Sequence, residues 1–413
     1  MPSGKVKRLE KGSVLGGILL IAGSCIGAGM LGLPIATGVA GFFPSLCMFA
    51  IACFVMTFSG LFIVEVHQWF SGKVHFSTMV RTLLGPFGNA LCWLSYLFLF
   101  YAILVAYISL SGKHFASLLH RFLDIPISDW VGSLIFVSFF GWMIYLGTRM
   151  VDMTNRLLMI FKIGIFISLL LVCAPFVQGD LLTVVDVKYS LFSLPILIIS
   201  FGFQNVIPTL SHYLNENTAR VRQAIVGGSL FVLLVYLLWE IIALGIIPIE
   251  GTNGIVATYH QGADAAQSLS RVLQLPTIAL LAEGLALFAI LTSFLAQSIT
   301  LVHFLEDGFK LPARKRENIA LCFLTLLPPL VMAALDPQIF FKAMNFAGGI
   351  CAILLFGILP PLMIWVGRYH KKYRASYQVF GGKVTPVVLL LFSLFILFYQ
   401  LTQTFGWELF PKP

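Results

Sequence analysis

The chain has 413 residues, of which 59% are hydrophobic and only 10% are charged. A soluble globular domain carries about 25% charged residues, so this composition excludes a protein whose whole surface faces water. The formal charge of +9 falls mainly in short polar stretches between apolar runs. We attribute that charge to membrane topology and to contact with anionic lipid head groups, and we expect no nucleic-acid partner.

Apolar runs of roughly 18 or more residues recur along the chain, and each can cross a hydrocarbon core of about 30 Å. The runs are continuous rather than alternating, which favours helices over a barrel, the two structures that satisfy the backbone in lipid. We therefore predict an all-α membrane protein with eleven transmembrane helices. In chain order these helices are 13–36, 42–66, 88–112, 130–148, 155–178, 190–214, 221–247, 273–303, 318–335, 338–367 and 385–404.

The distribution of basic residues predicts the orientation. Lysine and arginine are enriched in cytoplasmic loops. With segment 1–12 in the cytoplasm, 20 of the 26 basic residues lie on the cytoplasmic side. Because the number of helices is odd, the C-terminus is expected on the periplasmic side. The seven cysteines lie within predicted helices and lack metal-ligand spacing, so we expect no metal or other cofactor.

Helices 1 and 6 contain residues that interrupt a helix. Helix 1 includes GSCIGAGMLGLP, which ends at Pro34, and helix 6 includes SFGFQNVIP, which ends at Pro208. Glycine and proline weaken a helix, and an irregular backbone at membrane depth survives only where protein or a water-filled cavity covers it. An alternative is that the small residues of helix 1 serve close helix packing. The matched interruption in helix 6 favours a binding site.

The two interrupted helices begin two five-helix blocks, 13–180 and 181–367, which run in opposite directions. A further segment, 368–413, adds a cytoplasmic loop and helix 11. Corresponding breaks in inverted blocks indicate a transporter whose site lies near the bilayer midplane. Amide groups at the helix 1 break suit a carboxylate, and freed carbonyl groups of helix 6 suit an ammonium group. The pattern therefore favours a zwitterionic amino acid as ligand.

Several segments together resemble the bacterial hydroxy/aromatic amino acid permeases, the tyrosine and tryptophan permease family. They include GSCIGAGMLGLPIATGVAGF in helix 1, LFIVEVHQW in helix 2, YAILVAYISLSGK in helix 3, TRMVDMTNRLLMIFKIGIF in helix 5, SFGFQNVIPTLSHYLN in helix 6 and LTSFLAQSITLVHFLEDGF in helix 8. The resemblance implies the LeuT-type fold of the amino acid–polyamine–organocation superfamily. It also implies proton-coupled uptake of tyrosine, tryptophan or phenylalanine across the bacterial inner membrane, with no obligate protein partner.

The resemblance also implies where the substrate binds. The carboxylate is expected against the helix 1 residues Ser24, Cys25, Ile26, Gly27, Ala28 and Gly29, and the ammonium group near Ser200, Phe201 and Gly202. Phe201 or Phe203 is a candidate aromatic gate, although either could pack in the core or face lipid. Gln204 and Asn205 are candidates for a phenolic hydroxyl or indole N–H. Tyr101 and Tyr107 lie on different faces of helix 3, so we expect at most one to contact substrate.

Ionisable residues within the spans are candidates for coupling, because burying a charge at mid-bilayer costs about 2.5–3.5 kcal/mol or more. The leading candidate is Lys162 in helix 5, since burial favours a neutral lysine that can take up and release a proton. The alternative is that Lys162 extends to the cytoplasmic head groups. Glu240 and Glu283 are weaker candidates, each either a protonated core residue or part of a proton path.

Thr292 and Ser293 in helix 8 favour a competing hypothesis, a sodium-coupled symporter of the same fold. Hard cations prefer oxygen ligands such as hydroxyl groups. A lysine ammonium directed at the same place would exclude sodium by repulsion, so proton coupling remains the first choice. An integral-membrane enzyme is disfavoured because the sequence has no HExxH, GxSxG or Walker motif. A channel is disfavoured because there is no repeated filter sequence.

Overall fold

The computed structural model describes residues 12–70, 74–124, 126–309 and 319–407, and every regular element in these ranges is a helix. The predicted cytoplasmic segment 1–12 lies outside them except for its last residue. The basic loop between predicted helices 8 and 9 also lies largely outside the described residues.

Among the described residues, the first half of the chain forms seven α-helices. They are α1 (Val14–Cys25), α2 (Gly29–Thr37), α3 (Phe42–His67), α4 (Phe76–Leu123), α5 (Asp129–Tyr145), α6 (Thr148–Cys173) and the short α7 (Gly179–Leu182). Helices α1 and α2 together form predicted helix 1, and their axes differ by 65°. Helix α4 begins earlier than predicted because an additional helical segment precedes Gly85, where φ is +77° and the chain kinks before Pro86.

The second half begins with α8 (Leu194–Ser200) and α9 (Ile207–Tyr213), which together form predicted helix 6. The following helices are α10 (Thr218–Leu244), α11 (Ile255–His260), α12 (Ala265–Leu273), α13 (Pro276–Phe309) and α14 (Ile319–Leu335). Predicted helix 10 is continuous but changes its winding: α15 (Phe340–Phe346) leads into a π-helix (Ala347–Ile358), then α16 (Leu359–Trp365) and a second π-helical stretch (Val366–His370). The last helix is α17 (Val384–Thr404).

Within the described residues, 8 helical segments are long and apolar enough to cross a membrane, and the bent pair of α1 and α2 gives up to 9. The apolar helices α5 and α14 are shorter, with 17 residues each. Helices therefore lie at all eleven predicted positions, and α5 and α14 occupy two of them. This length and composition are those of an integral membrane protein.

Helix α10 packs closely along α1 through small residues. A Cβ atom on Gly17 would lie 2.8 Å from Cβ of Ala224, and one on Gly228 would lie 2.8 Å from Ile21. Such contacts show that the two backbones approach more closely than larger side chains would permit. Helix α10 thus packs along α1 up to the break between α1 and α2.

We call the end of the bundle at which α1 begins the N-terminal face. There Arg220 donates a 2.6 Å hydrogen bond to the carbonyl oxygen of Gly12. A buried ion pair lies near the same end: Arg368 donates to both carboxylate oxygens of Glu65 at 2.6 and 2.5 Å, and the N–H of Val379 donates to the same carboxylate at 2.8 Å. This pair joins α3 to the second π-helical stretch and to the segment before α17.

The opposite face is covered by α11 and α12 and closed by polar contacts from α4. The buried side chains of His114 and Asp264 lie 2.6 Å apart. Lys113 donates to the carbonyl oxygen of Gly262 at 2.8 Å. Helix α2 also packs against α11 and α12. Among the described residues, α11 and α12 therefore form an additional layer of short helices on the opposite face.

Candidate functional site

The break between α1 and α2 covers Ile26–Ala28, and its backbone groups are bound by side chains of other helices. The carbonyl oxygen of Ile26 accepts a 2.8 Å hydrogen bond from Nζ of Lys162. The N–H of Ala28 donates to Oγ of Ser293 at 3.0 Å. Helix ends leave backbone groups without intrahelical partners, and here α6 and α13 supply those partners. Side chains of two other helices therefore stabilise the backbone of this break.

Lys162 is buried, with 4% of its surface exposed. Besides Ile26, its Nζ lies 3.5 Å from Oγ1 of Thr292, and Thr292 itself donates to the carbonyl oxygen of Ala289 at 3.1 Å. The ammonium group thus lies between the α1–α2 break and α13, away from the surface of the bundle.

The second break lies between α8 and α9, over Phe201–Phe203 followed by a turn at Gln204–Val206. The carbonyl oxygen of Ser200 accepts a 2.9 Å hydrogen bond from the hydroxyl of Tyr236. The Oγ atom of Ser200 is buried and has no hydrogen-bond partner among the described residues. Pro208 restarts the helix as an early residue of α9, where a missing N–H costs nothing. The interruption predicted from glycine and proline is thus present.

A cavity of about 450 Å³ lies between the two breaks, within the range of about 300–1,000 Å³ typical of small-molecule sites. Many of the predicted site residues line it: Ser24, Cys25, Gly27, Gly29, Tyr107, Lys162, Ser200, Gly202, Asn205, Thr292 and Ser293. The cavity extends towards the N-terminal face, since Leu19, Asn155 and Thr300 also form its walls. The structure therefore brings residues of six helices, α1, α2, α4, α6, α8 and α13, to one cavity.

The two tyrosines of α4 lie in different surroundings. Tyr107 lines the cavity together with Ser293. Tyr101 instead donates a 2.8 Å hydrogen bond to the carbonyl oxygen of Leu324 on α14. Of these two tyrosines, Tyr107 is therefore the one that lines the cavity.

Three predicted residues of the second break pack behind the cavity instead of lining it. Phe201 is 1% exposed and packs edge-to-face against Tyr236, with ring centroids 5.2 Å apart. Phe203 is equally buried, and its ring packs against Gly60 of α3. A Cβ atom on Gly60 would lie only 2.8 Å from that ring. Gln204 donates to a backbone carbonyl of α3 at 3.0 Å. In this conformation neither phenylalanine covers the cavity.

Glu240 and Glu283 lie apart from the cavity. Glu240 is fully buried, one of its carboxylate oxygens contacts the hydroxyl of Thr37, and the other has no partner among the described residues. Glu283 accepts a 3.0 Å hydrogen bond from Ser117 and lines a second cavity of about 600 Å³ near the opposite face.

Tyr236 is a buried residue near both breaks that the sequence did not single out. Its hydroxyl lies 2.6 Å from the carbonyl oxygen of Cys25 and 2.9 Å from that of Ser200, the last residues of α1 and α8. Its neighbour Trp239 donates a 3.0 Å hydrogen bond to the carbonyl oxygen of Met30. Tyr236 and Trp239 are three residues apart and therefore lie on one face of α10. The sequence alone does not show that this face packs against the two breaks.

The other cavity residues, which the sequence did not indicate, include the apolar or amide side chains of Leu99, Phe100, Ile103, Gln297, Met344 and Phe356. The aromatic and aliphatic members give the cavity a wall suited to an aromatic ring. No group of three or more His, Cys, Asp or Glu residues arranged to hold a metal ion occurs among the described residues.

Helices that span a membrane and enclose a cavity between two broken segments define a transport protein, and comparison with known proteins agrees. The tryptophan/tyrosine permease family matches residues 10–400, so the chain belongs to this family of permeases and is not an enzyme. Over 92% of its length the chain is 30% identical to the tyrosine-specific transport system 1 of Haemophilus influenzae, of which 95% is covered. It is 29% identical to the tryptophan-specific transport protein of the same organism, with 96% of this chain and 97% of that protein covered. The low affinity tryptophan permease of Escherichia coli is 26% identical, with 94% and 95% covered.

Proposed function

We propose that this protein imports an aromatic amino acid by proton symport across the bacterial inner membrane, with tyrosine as the first candidate and tryptophan or phenylalanine as alternatives. The main observation is the cavity between the two helix breaks, with a buried lysine bound to one of them. The names of the relatives, which transport tyrosine or tryptophan, support this substrate class.

The substrate is proposed to bind with its two charged groups at the two breaks. Its carboxylate would approach the start of α2 near Gly29 and Ser24, where the positive end of the helix dipole favours an anion. Its ammonium group would lie near Ser200, whose hydroxyl is buried without a partner among the described residues. The ring would contact Tyr107 and the apolar wall, with Asn205 able to reach a phenolic hydroxyl or an indole N–H.

The proposed architecture is a five-plus-five inverted repeat, formed by 13–180 and 181–367, with α17 appended. The proposed orientation places the N-terminus in the cytoplasm and the C-terminus in the periplasm. The cavity would then open to the cytoplasm, and the layer formed by α11 and α12 would close the periplasmic side. Alternating access also requires a second conformation, in which the cavity opens to the periplasm and is closed to the cytoplasm. The two breaks would act as hinges between these conformations.

Lys162 is proposed to carry the coupling proton. As an ammonium it binds the Ile26 carbonyl oxygen and contacts Thr292, and as a neutral amine it would hold that carbonyl less strongly. Protonation would thereby alter the α1–α2 break. Sodium coupling through Thr292 and Ser293 is the alternative, but the ammonium group lies beside Thr292, and Ser293 already accepts from Ala28. A positive charge there would repel a sodium ion.

Uptake into proteoliposomes tests the proposal. Radiolabelled tyrosine should accumulate when the outside is acidic, without sodium, and unlabelled tryptophan and phenylalanine should be tested as competitors. Accumulation that requires a sodium gradient and does not respond to a pH gradient would contradict proton coupling. Absence of uptake of all three amino acids by either gradient would contradict the substrate class.

A further inference from the structure

Tyr236 connects the two helix breaks through one hydroxyl group. Its oxygen lies 2.6 Å from the Cys25 carbonyl oxygen and 2.9 Å from the Ser200 carbonyl oxygen. The two acceptors are the last residues of α1 and α8, so a single side chain of α10 joins the ends of two helices that are far apart in the sequence. The hydroxyl has one hydrogen, so the two carbonyl oxygens share it in a three-centre hydrogen bond, with Cys25 the nearer acceptor.

The two carbonyl groups differ in how much of their accepting capacity is used. The oxygen of Cys25 accepts from Tyr236 and also from the N–H of Gly27 at 2.9 Å, which uses both of its lone pairs. The oxygen of Ser200 accepts from Tyr236, and no other bond to it occurs among the described contacts outside regular helices. It therefore retains an acceptor for a donor group in the cavity.

Tyr236 approaches these carbonyl groups from behind the cavity. Cys25 and Ser200 line the cavity, whereas the ring of Tyr236 is fully buried. Phe49 and Phe201 pack around that ring, with centroids 6.1 and 5.2 Å from it. A ring confined in this way keeps its hydroxyl at a fixed point, which in turn fixes the direction of the Ser200 carbonyl.

We propose that Tyr236 is a positioning residue for the ammonium group of the substrate: it does not contact the substrate but holds the Ser200 carbonyl oxygen against the end of α1. This inference rests on the proposed function, since it assumes an amino acid in the cavity. The geometry of the ammonium site then depends on both breaks, because the Tyr236 hydroxyl contacts the carbonyl oxygens of Ser200 and Cys25. Recognition of the ammonium group is thereby tied to the relative position of the two broken helices.

The test is the substitution Tyr236→Phe, which removes the hydroxyl and keeps the packed ring. Binding to the purified full-length protein is measured with labelled tyrosine, and with desaminotyrosine, which lacks the ammonium group, as a competitor. We expect the Kd for tyrosine to rise roughly three- to tenfold, the range for loss of one hydrogen bond, and the Kd for desaminotyrosine to stay within about twofold. Tyr101→Phe is the matched control, since it removes a tyrosine hydroxyl bound to a carbonyl outside the cavity.

A purely structural role would change the affinity for both ligands equally or lower only the amount of folded protein, and either result overturns the proposal. Unchanged or tighter binding of tyrosine by Tyr236→Phe overturns it as well. If the variant does not fold, 3-fluorotyrosine at position 236 supplies the test: tyrosine binding should shift its fluorine resonance and desaminotyrosine should shift it less, whereas no shift with tyrosine overturns the proposal. Failure of the proposed function is distinct, because then the wild-type protein itself would not bind tyrosine.

Discussion

The Nζ atom of Lys162 lies 2.8 Å from the carbonyl oxygen of Ile26, within the break between α1 and α2. A charged side chain on α6 therefore binds the irregular backbone that the proposed substrate carboxylate approaches. The same Nζ is 3.5 Å from Thr292 on α13, so the lysine contacts two of the helical segments around the cavity. This position explains why a lysine is buried in the apolar part of α6.

Lys162→Gln should abolish accumulation driven by a pH gradient. Glutamine keeps a donor for the Ile26 carbonyl oxygen, so binding should remain within about tenfold of the wild-type affinity. Its amide does not titrate, so it cannot carry the coupling proton. The measurement is tyrosine uptake into proteoliposomes with and without the gradient. Lys188→Gln is the control, because Lys188 is an exposed lysine paired with Asp186 at 3.0 Å. Gradient-driven accumulation by Lys162→Gln would exclude Lys162 as the proton carrier.

Gly27→Leu should abolish uptake while the protein still inserts into the membrane. A Cβ atom at Gly27 would contact Oγ of Ser293, which holds the N–H of Ala28. A side chain here must displace Ser293 and fill the break. Gly164→Leu is the matched control, since a Cβ at Gly164 on α6 meets nothing within 4 Å. Normal uptake by Gly27→Leu, with expression equal to the control, would remove the helix 1 break from the binding site.

Asn205→Ala should weaken selection for a polar group on the substrate ring. Asn205 lines the cavity, whereas the adjacent Gln204 is buried and bound to the backbone of α3. If Asn205 binds the phenolic hydroxyl, KM for tyrosine should rise about three- to tenfold and KM for phenylalanine should change by less than about twofold. The two KM values are compared in the same membrane preparation. Equal changes for both amino acids would assign Asn205 a role unrelated to the ring substituent.

The sequence predicted the two breaks because glycine and proline act locally on the backbone. Gly27 and Pro208 weaken or restart a helix whatever surrounds them, so their positions could be read along the chain. The role of Tyr236 could not be predicted, since a tyrosine in an apolar helix is common and its contacts to Cys25 and Ser200 join distant parts of the sequence. The same reason applies to the π-helical winding after Phe346, which hydropathy does not distinguish from an ordinary helix.

The segment between α14 and α15 gives a pH-dependent prediction for stability. The hydrogen bond from Lys342, 2.7 Å long, lowers the pKa of Asp336 below its usual 3.8. A lowered pKa in the folded state means that the stabilisation is present above pH 3.8 and is lost as the pH falls through the folded-state value. Asp336→Asn should therefore lower the free energy of unfolding at pH 7 by less than about 1 kcal/mol, seen as a slightly lower Tm, because the pair is partly exposed. The difference from wild type should vanish when melting is measured below the folded-state pKa.

Glu240→Gln should keep both the stability and the transport activity of the wild type. The Oγ1 atom of Thr37 lies 2.8 Å from the Leu33 carbonyl oxygen and also contacts Glu240. A hydroxyl has one hydrogen, so when Thr37 donates to Leu33 the carboxyl group must donate to Thr37, which requires its protonated form. Glutamine supplies a neutral donor of the same shape, whereas Glu240→Ala leaves Thr37 without that donor and should lower the free energy of unfolding by about 1–3 kcal/mol.

Thermal melting and gradient-driven uptake are measured for both variants. If Glu240→Gln is stable but no longer accumulates tyrosine under a pH gradient, then Glu240 releases its proton during transport, and the coupling assigned to Lys162 must be shared with it.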